Sequence, residues 1–181
     1  IEAAKPVFIL VNAMQQTTSQ LSTDSLINKF SILINNFEEN AEKNGARYDA
    51  IQAAKYCLCT FVDELAVRAG WADETWSKNS LLVSFYDETW GGERFFEIIQ
   101  NLKQDPNKNI DLLEFMYLCL QFGYKGKYQV LNSGELEIDK IKRDLLALIH
   151  SKRPDQTADL FKHNPIITNT IQRKQRLSIP F

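Results

Sequence analysis

Glycine, proline and histidine are scarce in this chain, and so is the alternation of apolar and polar residues that marks a half-buried strand. Seven Gly and five Pro leave few tight turns, which together with the missing alternation argues against a β-sandwich or barrel and leaves a helical reading almost throughout. Long apolar runs are missing too. The richest, "LLEFMYLCLQF" at 112–122, is broken by Glu114 and Gln121, so it falls short of the roughly eighteen apolar residues of a membrane span and the chain as given reads as soluble. Charge bias is lacking as well: a net charge of -2 argues against the concentrated basic face of a nucleic-acid binder and against an acidic solvating tail. The three cysteines are odd in number, and Cys57 and Cys59 on one helix would point about 160° apart. Reduced, buried thiols in a cytosolic compartment are expected.

The apolar fraction of 44% with 24% charged residues in a chain of 181 residues suits one domain with a proper core. Charge is unevenly spread, with six basic residues against two acidic ones between Lys152 and Phe181. The chain therefore divides into a helical domain, 1–151, and a basic tail, 152–181. The opening "IEAAKPVFILVNAM" lacks the basic start and small-residue cleavage site of a signal peptide, and the chain is expected to be a piece of something longer.

Pro6 can open a first helix over "VFILVNAMQQ". A second spans about 25–43, capped by Thr23 or Asp24, with Leu26, Phe30, Leu33, Ile34 and Phe37 on one stripe and Asn44-Gly45 as the stop. The third, about 49–69, is apolar at Ile51, Ala54, Leu58, Phe61 and Leu65, and Cys57, Val62 and Ala66 widen that stripe until much of the helix must be covered. It should be central. A short helix at about 79–86 precedes Gly91-Gly92, another runs over 93–103 until Pro106 ends the segment, and Asp111 caps a buried helix over "LLEFMYLCLQF". The last, about 135–152, repeats Leu136, Ile138, Ile141, Leu145, Leu148 and Ile149. Seven to eight helices with short connections make an all-α fold.

Three acidic pairs, Asp63-Glu64, Asp73-Glu74 and Asp87-Glu88, invite a metal or acid/base reading. A carboxylate-bridged metal centre needs Glu-x-x-His spacing, and neither His150 nor His163 has a glutamate three residues before it. No nucleophile elbow or phosphate loop is present, and the cysteines fall in apolar helices where a thiol stays protonated. No metal, cofactor or catalysis is indicated. Asp63 would point about 170° from the main stripe of its helix, while Glu64 lies one turn before Arg68 in the favourable orientation for an ion pair. These two acids fit a solvated face, an acidic rim for a basic partner, or a polar tie between bundles. Glu114, alone in an apolar helix, needs a cation, with Arg68, Lys125 and Lys127 in view. "GYKGKYQV" at 123–130 reads as a shaped structural corner, its two lysines too thin a footprint for nucleic acid. The tetrapeptide Asp-Glu-Thr-Trp occurs at 73–76 and again at 87–90, too closely spaced for a repeat unit and best read as coincidence.

Several of these pieces occur in an order that resembles the TssL/DotU/IcmH family, inner-membrane components of bacterial type VI and the related type IVB (Dot/Icm) secretion systems. They are "CTFVDE" (59–64), Trp71 and Trp76, "GGERFF" (91–96), and "LLEFMYLCLQFGYKGKYQV" (112–130), which departs from the family pattern only in carrying Tyr124 where a phenylalanine stands. The resemblance covers about 48–150. It implies a cytoplasmic all-α domain of two packed three-helix bundles, hook-like with a cleft, followed by one C-terminal transmembrane helix. The basic tail would then precede the span on its cytoplasmic side. The implied role is architectural: docking a TssM/IcmF-type partner and baseplate proteins such as TssK and TssE, with self-association conceivable and no enzyme activity, cofactor or nucleic acid. By resemblance, Asp63 and Glu64 would make an acidic contact, and Trp71, Trp76, Glu93, Phe95 and Tyr128 would line the cleft. Reversing both charges should then weaken partner capture and leave the thermal melt nearly unchanged. The alternative is a generic soluble helical adaptor.

Overall fold

In the computed structural model, which describes residues 1–16 and 22–153, a 3-10 turn at Glu2–Ala4 leads into α1 (Lys5–Gln16), which buries Val7, Phe8, Val11 and Met14. Helix α2 (Thr23–Lys43) buries Leu26, Ile27, Phe30, Ile34, Phe37 and Ala41, three or four residues apart, as an amphipathic helix requires. Its cap is Ser22, whose hydroxyl accepts from the Ser25 amide, one residue before the expected Thr23. Thr23 instead donates its hydroxyl to Asp73 at 2.7 Å, and Asp24 sits in the first turn, where a negative charge meets the positive helix end.

Helix α3 (Tyr48–Arg68) is the centre of the molecule. It packs on α2 and α5 to one side and on α6 and α7 to the other. Eleven of its residues are buried, Tyr56 and Thr60 among them, so the face opposite its main apolar stripe is covered as well. The covering begins with two short helices, α4 (Glu74–Asn79) and α5 (Leu81–Tyr86), which meet at Ser80. The stretch around Trp76, just before the short helix expected at about 79–86, is itself a helix: Asp73 caps α4 by accepting from the Thr75 and Trp76 amides at 2.8 and 3.1 Å. Helices this short are unstable alone, and both borrow their order from α2 and α3.

Helix α6 (Gly92–Leu102) buries Phe95, Phe96 and Ile99. Helix α7 (Pro106–Gln121) begins a turn and a half earlier than expected. Pro106 opens it rather than ending the segment before it, because proline's fixed φ and missing N–H suit a first helical position. Asp105, not Asp111, supplies the cap, accepting from the Lys108 amide at 3.3 Å. Every residue from Leu112 to Leu120 is buried, which fits a helix enclosed by α3, α6 and α8. A 3-10 turn at Gly126–Val130 joins it to α8 (Gly134–Lys152), which buries Ile138, Leu145 and Ile149 and leaves Leu136 in solvent. No strand occurs among the described residues, and the fold is all-α. The tail beyond Arg153 lies outside the described residues.

Glu114, 4% exposed, has its cation in Arg153 rather than in Arg68, Lys125 or Lys127. The guanidinium lies 3.2–3.3 Å from both carboxylate oxygens and 2.8 Å from Asp111, fastening the end of α8 to α7. Burial pushes the Glu114 carboxyl up and the Arg153 charge pulls it down. Arg153→Ala would leave a buried carboxylate without its cation. The expected cost is about 1–3 kcal/mol, read as a lower midpoint in urea with an unchanged slope; an unchanged midpoint would show that the pair contributes nothing.

Candidate functional site

Trp90 is the third tryptophan of the chain and the only one that stands largely in solvent, at 58% exposure. It ends the second Asp-Glu-Thr-Trp copy and sits at the rim of a groove of about 320 Å³. One wall is α3, through Thr60, Asp63, Glu64 and Val67; the others are the α4–α5 pair, the segment 89–92, and Tyr124 with Gln129 after α7. The two copies of the tetrapeptide have opposite fates. Asp73 starts a helix and its Trp76 is buried, whereas Asp87 ends one in the left-handed region, φ 56°, and its Trp90 faces out.

The carboxylates of Asp63 and Glu64 bind inward. Asp63 Oδ1 accepts from Trp76 Nε1 at 3.0 Å and from the Leu81 amide at 2.9 Å, and its Oδ2 accepts from the Leu82 amide at 2.8 Å. It therefore holds the start of α5 against α3. Glu64 Oε1 accepts from the Lys125 amide at 2.7 Å and from Arg68 at 3.1 Å, while Oε2 accepts from the Gly126 amide at 2.6 Å. Arg68 also donates to the Gly123 carbonyl, so the i,i+4 pair read from the sequence is real and closes the corner after α7. Burial lifts both carboxyls above their usual range, and the donors around each pull back.

Close backbone approach shapes the remaining walls. Gly126 takes φ 50°, and a Cβ there would come within 2.7 Å of the Gly92 carbonyl. At Gly92 a Cβ would strike the Trp90 ring, so the indole packs against the bare glycine. Behind this contact Phe95 and Tyr124 pack with centroids 4.2 Å apart, and the Tyr124 and Thr60 hydroxyls meet at 3.3 Å.

Of the residues singled out from the sequence, Asp63, Glu64 and Trp76 line the groove. Trp76 is 1% exposed and Phe95 fully buried, so each shapes the site from inside the core. Trp71 is half-buried against the core, Tyr128 stacks edge-on against Phe96, and Glu93 is exposed on the first turn of α6; none of the three lines the groove. Val67, Trp90 and Gln129 were missed. A tryptophan outside any helical stripe and directly before Gly-Gly was the available signal.

Among the described residues no three His, Cys, Asp or Glu side chains converge as a metal site, and no helix is long and apolar enough to cross a membrane. Residues 1–181 match the family model described as type VI secretion system protein DotU. The chain is similar to TssL from Vibrio cholerae, with 31% identity over 84% of this chain and 95% of that one and a TM-score of 0.75. It is also similar to the cytoplasmic domain of TssL from Acinetobacter baumannii, with 24% identity, 82% and 97% coverage and a TM-score of 0.73. A third likeness is to SciP/TssL from enteroaggregative Escherichia coli 042, with 21% identity, 81% and 84% coverage and a TM-score of 0.68. No curated protein matches the chain.

The inward hydrogen bonds change what mutation should do. Asp63→Asn turns an amide NH₂ toward N–H donors whichever way it is placed, at an expected cost of about 2–4 kcal/mol; Glu64→Gln should cost about 1–3 kcal/mol. Reversing both charges, at a combined cost of about 3–7 kcal/mol or more, should accordingly lower the melting temperature by roughly 6–28 °C. A melt within a degree or two of the parent would mean that these acids are not structural ties.

Proposed function

The chain belongs to the DotU family of type VI secretion system proteins, membrane-complex components rather than enzymes, and on that premise we propose that this domain docks a TssM/IcmF-type partner and the baseplate proteins TssK and TssE. In this reading the domain lies on the cytoplasmic face of the inner membrane, held by a single C-terminal span, with the basic stretch 152–181 on the cytoplasmic side of it as the positive-inside rule requires. Copies of the chain meet in the same complex through these partners and by weak self-association.

The observation that carries the docking reading is the groove beside α3. Its walls come from α3, from residues 76–92 and from residues 124–129, and are fastened by hydrogen bonds to charged groups, so it is a preformed depression with a tryptophan at its rim. Asp63 and Glu64 hold the walls, Trp76 and Phe95 support them from the core, and Trp71, Glu93 and Tyr128 offer contacts around them.

The full-length protein, purified from the membranes of its own bacterium, should bring down the TssM/IcmF-type protein together with TssK and TssE, and deletion of its gene should stop type VI-dependent secretion. Recovery in the soluble fraction with none of these partners, and secretion unaffected, would refute the reading and favour a soluble helical adaptor.

A further inference from the structure

We propose that the groove receives an uncharged, apolar peptide segment of a secretion-system partner, anchored on Trp90 and Val67, and that Asp63 and Glu64 make no direct contact with it. This rests on the docking reading above and specifies the chemistry of what docks.

Charge is the first reason. Asp63 and Glu64 are the only carboxylates among the lining residues, which include no Lys, Arg or His. Three donors from the protein already occupy Asp63, and three occupy Glu64, one of them the guanidinium of Arg68. A basic segment would meet carboxylates most of whose acceptor sites are already taken by the protein, and any amide it displaced would cost more than an exposed ion pair returns. An acidic segment would find no cation in the groove. A neutral occupant meets neither penalty.

The second reason is the rim. Val67, 65% exposed, projects from α3, and Trp90 stands on the separate segment between α5 and α6. The indole packs on Gly92, where a Cβ would strike it, and a tryptophan with a packing partner in the free protein loses less entropy as an interface anchor. Val130, next in the chain to the lining Gln129, is 82% exposed. Thr89 and Gln129 offer a hydroxyl and an amide that suit the backbone of an extended segment.

The test uses the full 181-residue chain and an array of overlapping peptides spanning the cytoplasmic parts of the TssM/IcmF-type protein, TssK and TssE of the same bacterium. Captured peptides should be apolar and free of Lys and Arg at their centre. In solution titrations of those peptides, Trp90→Ala should weaken binding about thirtyfold, Trp90→Phe should restore most of it, and neither substitution should move the melt. Capture of basic peptides, equal binding by Trp90→Ala, or no capture at all would overturn the proposal. So would a self-associating chain whose dimer Trp90→Ala dissolves, since the occupant would then be a second copy. If the wild-type protein still brings down its partners from membranes in any of these cases, docking stands and only the apolar anchor falls; if it does not, the docking reading itself has failed.

Discussion

Two consecutive carboxylates on one helix hold two different parts of the chain. Residues 63 and 64 are about 100° apart around α3, so one reaches the start of α5 and the other the corner after α7. Each does so through backbone amides: Leu81 and Leu82 for Asp63, Lys125 and Gly126 for Glu64. Burial of the apolar stripes supplies most of the driving force for folding, and it is non-directional. Hydrogen bonds to charged acceptors are directional, and they decide where along α3 the covering segments settle.

The groove follows from that placement. Helices α4 and α5 are too short to stand by themselves, and the Asp63 carboxylate caps α5 from outside while also gripping Trp76 of α4. On the other wall, the 3-10 turn sits so close to α6 that glycine is required at both 92 and 126. The same close approach seats the Trp90 ring. A change at Asp63 or Glu64 is therefore felt at the rim even though neither carboxylate faces outward.

Helix periodicity was legible because the apolar spacing of α2, α3 and α7 repeats over many residues, and the centrality of α3 followed from a stripe too wide for one neighbour. The misplaced boundaries have a common cause, since a capping side chain or a proline marks a helix start only when the direction of the chain is known. Pro106 reads as a stop in the sequence and is a start, Asp111 reads as a cap and lies inside α7, and Asp73, ahead of the short helix expected there, opens α4. Long-range partners were out of reach: nothing near Glu114 in the chain pointed to Arg153, 39 residues away. The acidic pair was found for its family resemblance and its position, but whether such a pair faces solvent or backbone amides depends on segments 18 to 62 residues further along.

Hydrogen exchange at four amides tests the central role of this pair most directly. The amides of Leu81, Leu82, Lys125 and Gly126 should exchange about as slowly as those in the middle of α3, because opening them requires opening the tie. In Asp63→Asn, protection should fall at Leu81 and Leu82 and persist at Lys125 and Gly126. Rapid exchange at all four in the native protein, at rates typical of exposed loops, would contradict the account.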